Sequence, residues 1–192
     1  TKRCITNHQV ISTVSKSITM TMSSYIKDIR QKIDHRLLQM PSVTIINYDE
    51  NGRVLFLKHR DTELWVAPGG AVEPCESPAD AAVREMWEET GLYVELKGVL
   101  GVYGGPEFVV EYSNGDSVSY VMTVFEGSVI DGSLNLVNDE SIEGAYFTRE
   151  EILKLETQPW VRVILADIYS YGAGEPALFK QSEWTPENTK DR

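Results

Sequence analysis

The sequence predicts an α/β protein in which a mixed β-sheet lies between helical layers, and three observations predict it. Runs rich in β-branched and aromatic residues recur from Val43 to Phe147. Segments with apolar residues at helical spacing lie before, between and after those runs. The two kinds of segment do not alternate one for one, as an all-parallel sheet would require, so the sheet is mixed. The length of 192 residues suits one well-cored domain with appendages, and 42% hydrophobic with 24% charged residues is an ordinary globular composition.

Each element has a local reason. Ser24 can cap a helix running to Gln39, with Ile26, Ile29, Ile33 and Leu37 on one stripe and Pro41 as its stop. That stripe packs on the protein's own core or on a second copy of the chain, which makes a homodimer through residues 24–39 one expectation. Val43 to Tyr48 and Val54 to Leu57 read as strands joined by the turn Asp49-Glu50-Asn51-Gly52, a hairpin with a buried face. Trp65-Val66-Ala67 leads into Pro68-Gly69-Gly70. Ser77 caps the next helix with Pro78 at its first position, and Gly91 stops it. Val94 to Tyr103, Phe108 to Tyr112, Val118 to Phe125 and Ala145 to Phe147 read as strands. Thr148 and Glu151 form a capping box, and a last helix spans Trp160 to Tyr171. These limits give a leader of residues 1–22, a domain of residues 23–171 and a tail of residues 172–192.

Charge narrows the function. Eighteen Lys and Arg against 29 Asp and Glu give a net charge of −11, which disfavours a binder of nucleic-acid polymers. No apolar run approaches the length of a membrane span. Two cysteines, Cys4 and Cys75, make no disulfide framework, so a reducing, cytoplasmic setting is expected. The first 27 residues hold four basic residues, ten Ser or Thr and no acid. In composition they resemble an organelle transit peptide; an upstream extension without a role, with Met20 or Met22 as start, is the alternative.

The chemistry concentrates between Gly70 and Leu92, where six acids surround one base, Arg84. Glu85, Glu88 and Glu89 stand at i, i+3 and i+4, so all three carboxylates share a helix face, where like charges repel and oppose the macrodipole. Either the face is simply solvated or something positive offsets them. Oxygen donors without His or Cys suit a hard cation, Mg²⁺ or in its place Mn²⁺.

Gly70, five residues, Glu76, seven residues, Arg84-Glu85-Met86-Trp87-Glu88-Glu89-Thr90-Gly91-Leu92 resembles a complete Nudix box, with all nine constrained positions filled. The resemblance spans residues 42–170. It implies an α/β/α sandwich and hydrolysis of a nucleoside diphosphate linked to another moiety: ADP-ribose-like, a dinucleoside polyphosphate or a nucleoside triphosphate. It also implies that Glu85, Glu88 and Glu89 ligate the metal with the Gly69 carbonyl, that Arg84 orients Glu85, and that Glu76, Gly70 and Gly91 support the motif. A further acid in a later loop would complete the metal site or activate water; Glu140 is the candidate, with Asp139 and Glu143 competing. A binding domain without hydrolysis would be expected to have lost one of the charged motif residues, and none is lost. Isomerisation of isopentenyl diphosphate would want further Cys and Glu motifs, which are missing.

Substrate contacts are open at this point. His59 and Arg60 could touch phosphate; Trp65, Tyr103, Phe108 and Tyr120 could stack a base or belong to the core. Pro106 resembles a proline that ADP-ribose-cleaving members carry beyond the box. Cys75 stands where the family commonly has glycine, and costs strain if its φ is positive.

Overall fold

In a computed structural model of the chain, residues 24–112, 114–136 and 140–172 are described. The proposed leader, the proposed tail beyond Gly172, Cys4 and Asp139 lie outside them. The elements are α1 (Ser24–Ile33), β1 (Leu38–Ile46), β2 (Val54–His59), β3 (Trp65–Val66), β4 (Gly69–Ala71), α2 (Pro78–Thr90) and β5 (Leu92–Tyr103). A 3-10 turn (Pro106–Phe108), β6 (Val109–Glu111), β7 (Ser117–Gly132), β8 (Ser141–Phe147), α3 (Arg149–Ile152) and α4 (Pro159–Gly172) follow.

The fold is an α/β/α sandwich. One sheet has the order β4-β1-β7-β5, with β6 also on β7; β1 and β7 run parallel and every other pairing is antiparallel. A second sheet, β3-β2-β8, is antiparallel. Strand alternation sorts the core into two layers. Val43, Ile45, Leu55 and Leu57 pack against Ala81, Ala82 and Met86 of α2. Ile46, Val54, Phe56, Met122 and Val124 pack against Val161, Ile164, Leu165 and Ile168 of α4. Among the described residues no helix is long and apolar enough to cross a membrane.

The structure corrects two expectations. The first helix ends at Ile33, six residues before Gln39, and Pro41 lies inside β1. Buried Arg30 turns the chain there: its Nη1 donates to the Asp34 and Arg36 carbonyls, and its Nη2 to that of Ser117. Asp34 takes φ 51° at the reversal. Pro41 fits the strand because its carbonyl faces the β4 side, accepting from Val72 N–H just past the end of β4. The missing proline N–H therefore removes no bond to β7. Ile26 packs with Met40 and Val118 of the same chain, while Leu37 is 59% exposed.

The hairpin of residues 43–57 also differs. Its turn forms, with Gly52 N–H on the Asp49 carbonyl, but the hydrogen bonds between the arms stay around the Tyr48–Val54 bridge, from Asp49 N–H to the Arg53 carbonyl and from Leu55 N–H to that of Asn47. Beyond these β1 and β2 part into separate sheets. The caps are as expected. Asp80 N–H donates to Ser77 Oγ, Gly91 closes α2 at φ 67°, and Thr148 with Glu151 completes its box.

Candidate active site

The site is built where β4 passes the inner face of α2. Gly69 and Gly70 pair with Thr44 and Val43 of β1, and the Gly69 N–H donates to Glu89 Oε2 at 3.0 Å. A Cβ on Gly69 (φ 155°) would lie 2.2 Å from the Val43 carbonyl oxygen, whereas one on Gly70 would lie 2.4 Å from Glu85 Oε1. The two glycines thus have different tasks. Gly69→Ala collides with backbone and is expected to cost about 2–5 kcal/mol in chemical denaturation. Gly70→Ala pushes aside a carboxylate and is expected to depress activity while costing under ~1.5 kcal/mol.

Arg84 organises the acids. Its Nε and Nη2 grip both oxygens of Glu76 at 2.8 and 2.9 Å. Nη1 reaches Glu85 at 2.8 Å and Glu88 at 3.1 Å, and Nη2 also donates to the Ala71 carbonyl. This bidentate fork holds Glu76 below the usual carboxylate range and Arg84 above its own ordinary value. Glu76 also closes its loop, accepting from Glu73 N–H.

The other carboxylates are pushed upward. Burial raises Glu85, against the opposing pull of Arg84. Glu89 is 2% exposed, and burial lifts its carboxyl well above the ordinary range; the Gly69 N–H opposes, while Glu85, Glu140 and Glu88 add to the rise. The charge of Glu140 thus reaches both Glu85 and Glu89. Its backbone is anchored there: the Arg60 N–H donates to the Glu140 carbonyl at 2.7 Å where β8 begins beside the end of β2. Exposed Glu143 pairs with Lys58 along the ladder. His59 is held below its ordinary pKa by burial, opposed by Glu140 and Asp61.

Among the described residues no three acidic, His or Cys side chains form a ready metal cage, and Arg84 holds one oxygen each of Glu85 and Glu88. The donor set still fits a hard cation. It is all oxygen, the buried Glu89 carboxylate accepts from the Gly69 N–H, and the Glu85 carboxylate lies where a Cβ on Gly70 would stand.

The aromatic candidates have partners within the protein. Trp65 is buried with its ring edge-on to Phe147, and Phe108 is buried in the core. Tyr103 stacks on Phe108 and donates its hydroxyl to Asp167, and the Tyr112 and Tyr120 hydroxyls bond to each other. Pro106 opens the turn that seats Phe108. Sequence reasoning passed over Trp87 and Tyr93, whose rings are in solvent; their signal was position, on the outer face of α2 and just past Gly91.

Cys75 is exposed at φ 67°, the left-handed region that the family's glycine would occupy without strain. Cys75→Gly is expected to raise stability by about 0.5–1 kcal/mol, read as a higher denaturation midpoint at unchanged slope.

A family model described as the NUDIX domain matches residues 38–168. An ADP-ribose pyrophosphatase of Methanocaldococcus jannaschii is 32% identical over 138 residues, 68% of this chain and 78% of that protein. A putative 8-oxo-dGTP diphosphatase of Bacillus subtilis is 45% identical over 64 residues, 33% of this chain, and the match spans only 43% of that protein. Among solved structures, the MutT protein of Methanosarcina mazei superposes with TM-score 0.55 at 26% identity, covering 71% of this chain and 94% of that one. A UDP-X diphosphatase shares the fold at TM-score 0.60 and 16% identity, over 80% of this chain and 72% of its own. With the motif, the sandwich and the model match in agreement, the chain belongs to the NUDIX domain family.

Proposed function

We propose that the chain is a divalent-cation-dependent hydrolase that cleaves the phosphoric anhydride of a nucleoside diphosphate linked to another moiety. The observation that carries this reading is the buried carboxyl of Glu89, beside Gly69 and within electrostatic reach of Glu85, Glu88 and Glu140. A fold gains nothing from assembling these acids around a buried carboxylate unless a cation offsets them.

Hydrolases of this family generally use divalent metals. Here Glu85, Glu88, Glu89 and the Gly69 carbonyl would hold the ion, and Mg²⁺ suits those donors, with Mn²⁺ as substitute. When bound, it supplies charge neutralisation for the pyrophosphate oxygens and Lewis-acid activation of water. Arg84 fixes the Glu85 and Glu88 carboxylates from one side, leaving their second oxygens for the ion. Glu140 takes the proton of the attacking water, and its anchored backbone sets its approach. His59 and Arg60, beside Glu140, would meet the phosphate.

The relatives named ADP-ribose pyrophosphatase and 8-oxo-dGTP diphosphatase support small nucleotide-type substrates. The test is chromatographic product analysis on ADP-ribose, NADH, sugar nucleotides, diadenosine polyphosphates and (deoxy)nucleoside triphosphates in ¹⁸O water with Mg²⁺. Cleavage with ¹⁸O in a phosphate-bearing product is expected. Absence of turnover across the panel by folded chain sinks the reading.

A further inference from the structure

On the outer side of α2, an open groove runs between the helix and the end of the β5–β7 pair. It is lined by Asp80, Val83, Arg84, Trp87, Tyr93 and Asp131. Both rings are large and wet, Trp87 being 51% exposed and Tyr93 46%. Tyr93 and Asp131 are cross-strand partners, so a ring and a carboxylate stand side by side at one wall. Trp87 and Asp80, seven residues apart on α2, form the other wall.

The charges here are uncompensated. Asp80 Oδ2 accepts from Ser77 Oγ and Asp131 Oδ1 from the Gly132 N–H, which leaves one acceptor oxygen on each. Among the described residues neither carboxylate has an ion-pair partner. Arg84 borders the groove but directs its N–H groups to Glu76, Glu85, Glu88 and the Ala71 carbonyl. A phosphate-bearing ligand would meet two like charges, and a purely apolar one would strip water from them without replacement. A guanidinium satisfies every surface at once. It stacks on an aromatic face, donates in pairs to carboxylates, and is drawn by the net −15 that residues 28–192 carry.

We propose that this groove docks an arginine-bearing segment of a partner protein. Arg84 apart, the residues of this surface, Trp87, Tyr93, Asp80, Asp131 and Val83, have no part in the chemistry assigned above.

The probe is a capped Gly-Arg-Gly-Arg-Gly peptide titrated into the full chain, with tryptophan indole N–H resonances as readout. The Trp87 signal is identified as the one missing from Trp87→Ala. Saturable movement of that signal below about 1 mM peptide is expected, weakened roughly 3- to 30-fold by Asp131→Asn and by added salt. A Gly-Glu-Gly-Glu-Gly peptide should leave it unmoved. Three results overturn the proposal: no movement with the arginine peptide, equal affinity in Asp131→Asn, or equal movement with the glutamate peptide. Movement on raising protein concentration alone overturns it too, since it would make the groove a contact between copies of the chain. Because Asp131→Asn alters an exposed strand end, an unchanged melting temperature and unchanged hydrolysis separate lost docking from lost fold.

Discussion

Glu89→Gln is expected to give a chain that folds at least as well as the wild type at pH 8 without divalent cation, yet hydrolyses its substrate at least ~10²-fold more slowly. Both halves follow from one buried carboxyl. Its folded pKa lies above the unfolded value, first through burial and then through the neighbouring acids. A group shifted this way contributes stability that is fully present below the unfolded carboxylate pKa of about 4.3, and that is lost as pH rises through the folded value. In chelator, the wild-type melting temperature should therefore fall from pH 5 to pH 8. Glutamine cannot ionise, so the variant should keep only the smaller fall that raised Glu85 contributes, and melt a few degrees higher at pH 8. Added Mg²⁺ should restore the wild type and leave the variant nearly unmoved. Glu76 acts in the opposite sense. Arg84 lowers its pKa, so its contribution is present above about pH 4.3 and disappears at lower pH in both proteins. Thermal melts at four pH values, with and without Mg²⁺, check the whole pattern.

Arg84→Ala should be the most damaging substitution of a motif residue for stability. It removes five contacts and leaves Glu76 and Glu85, each 16% exposed, without their cation. Losing one partner of a fully buried pair costs about 3–5 kcal/mol. Arg84 keeps 29% of its side chain in water, so about 2–3 kcal/mol is the expected loss. Activity should fall by roughly 10²–10³-fold, because Glu85 loses the group that fixes it. Arg84→Lys keeps the charge and loses the fork, so it should regain part of the stability and little of the rate. Denaturant titration beside steady-state kinetics separates the two effects. Equal rescue of both by lysine would mean that Arg84 serves as a point charge only.

What was legible in the sequence was local. Ser77, Pro78, Gly91 and the Thr148–Glu151 box act within one helical turn, and each stands where its chemistry requires. The spacing of Glu76, Arg84 and Glu85 was legible for the same reason, a loop and one helix face. The end of α1 was not, because Arg30 is captured by the Ser117 carbonyl 87 residues away, and no local pattern encodes that contact. Pro41 misled because its tolerance in β1 depends on where β4 stops. The division of one hairpin into two sheets was likewise invisible, since Val43 to Tyr48 and Val54 to Leu57 look alike whether they pair throughout or at one bridge. At the site, Glu140 could not be told from Glu143 by spacing. The separation comes from the register of β8 on β2, which anchors Glu140 at Arg60 and sends Glu143 to Lys58. The aromatics show the same limit. Composition does not say that Trp65 is core and Trp87 is surface; packing decides it.

The most direct measurement is initial-rate hydrolysis of the best panel substrate by the full chain in Mg²⁺, in chelator and in Mg²⁺ with Glu89→Gln, each confirmed folded by its melt. Turnover in Mg²⁺ that is lost in both other arms is the expected result. Turnover that survives chelator, or that Glu89→Gln leaves intact, would contradict a cation-dependent site built on the carboxylates of α2.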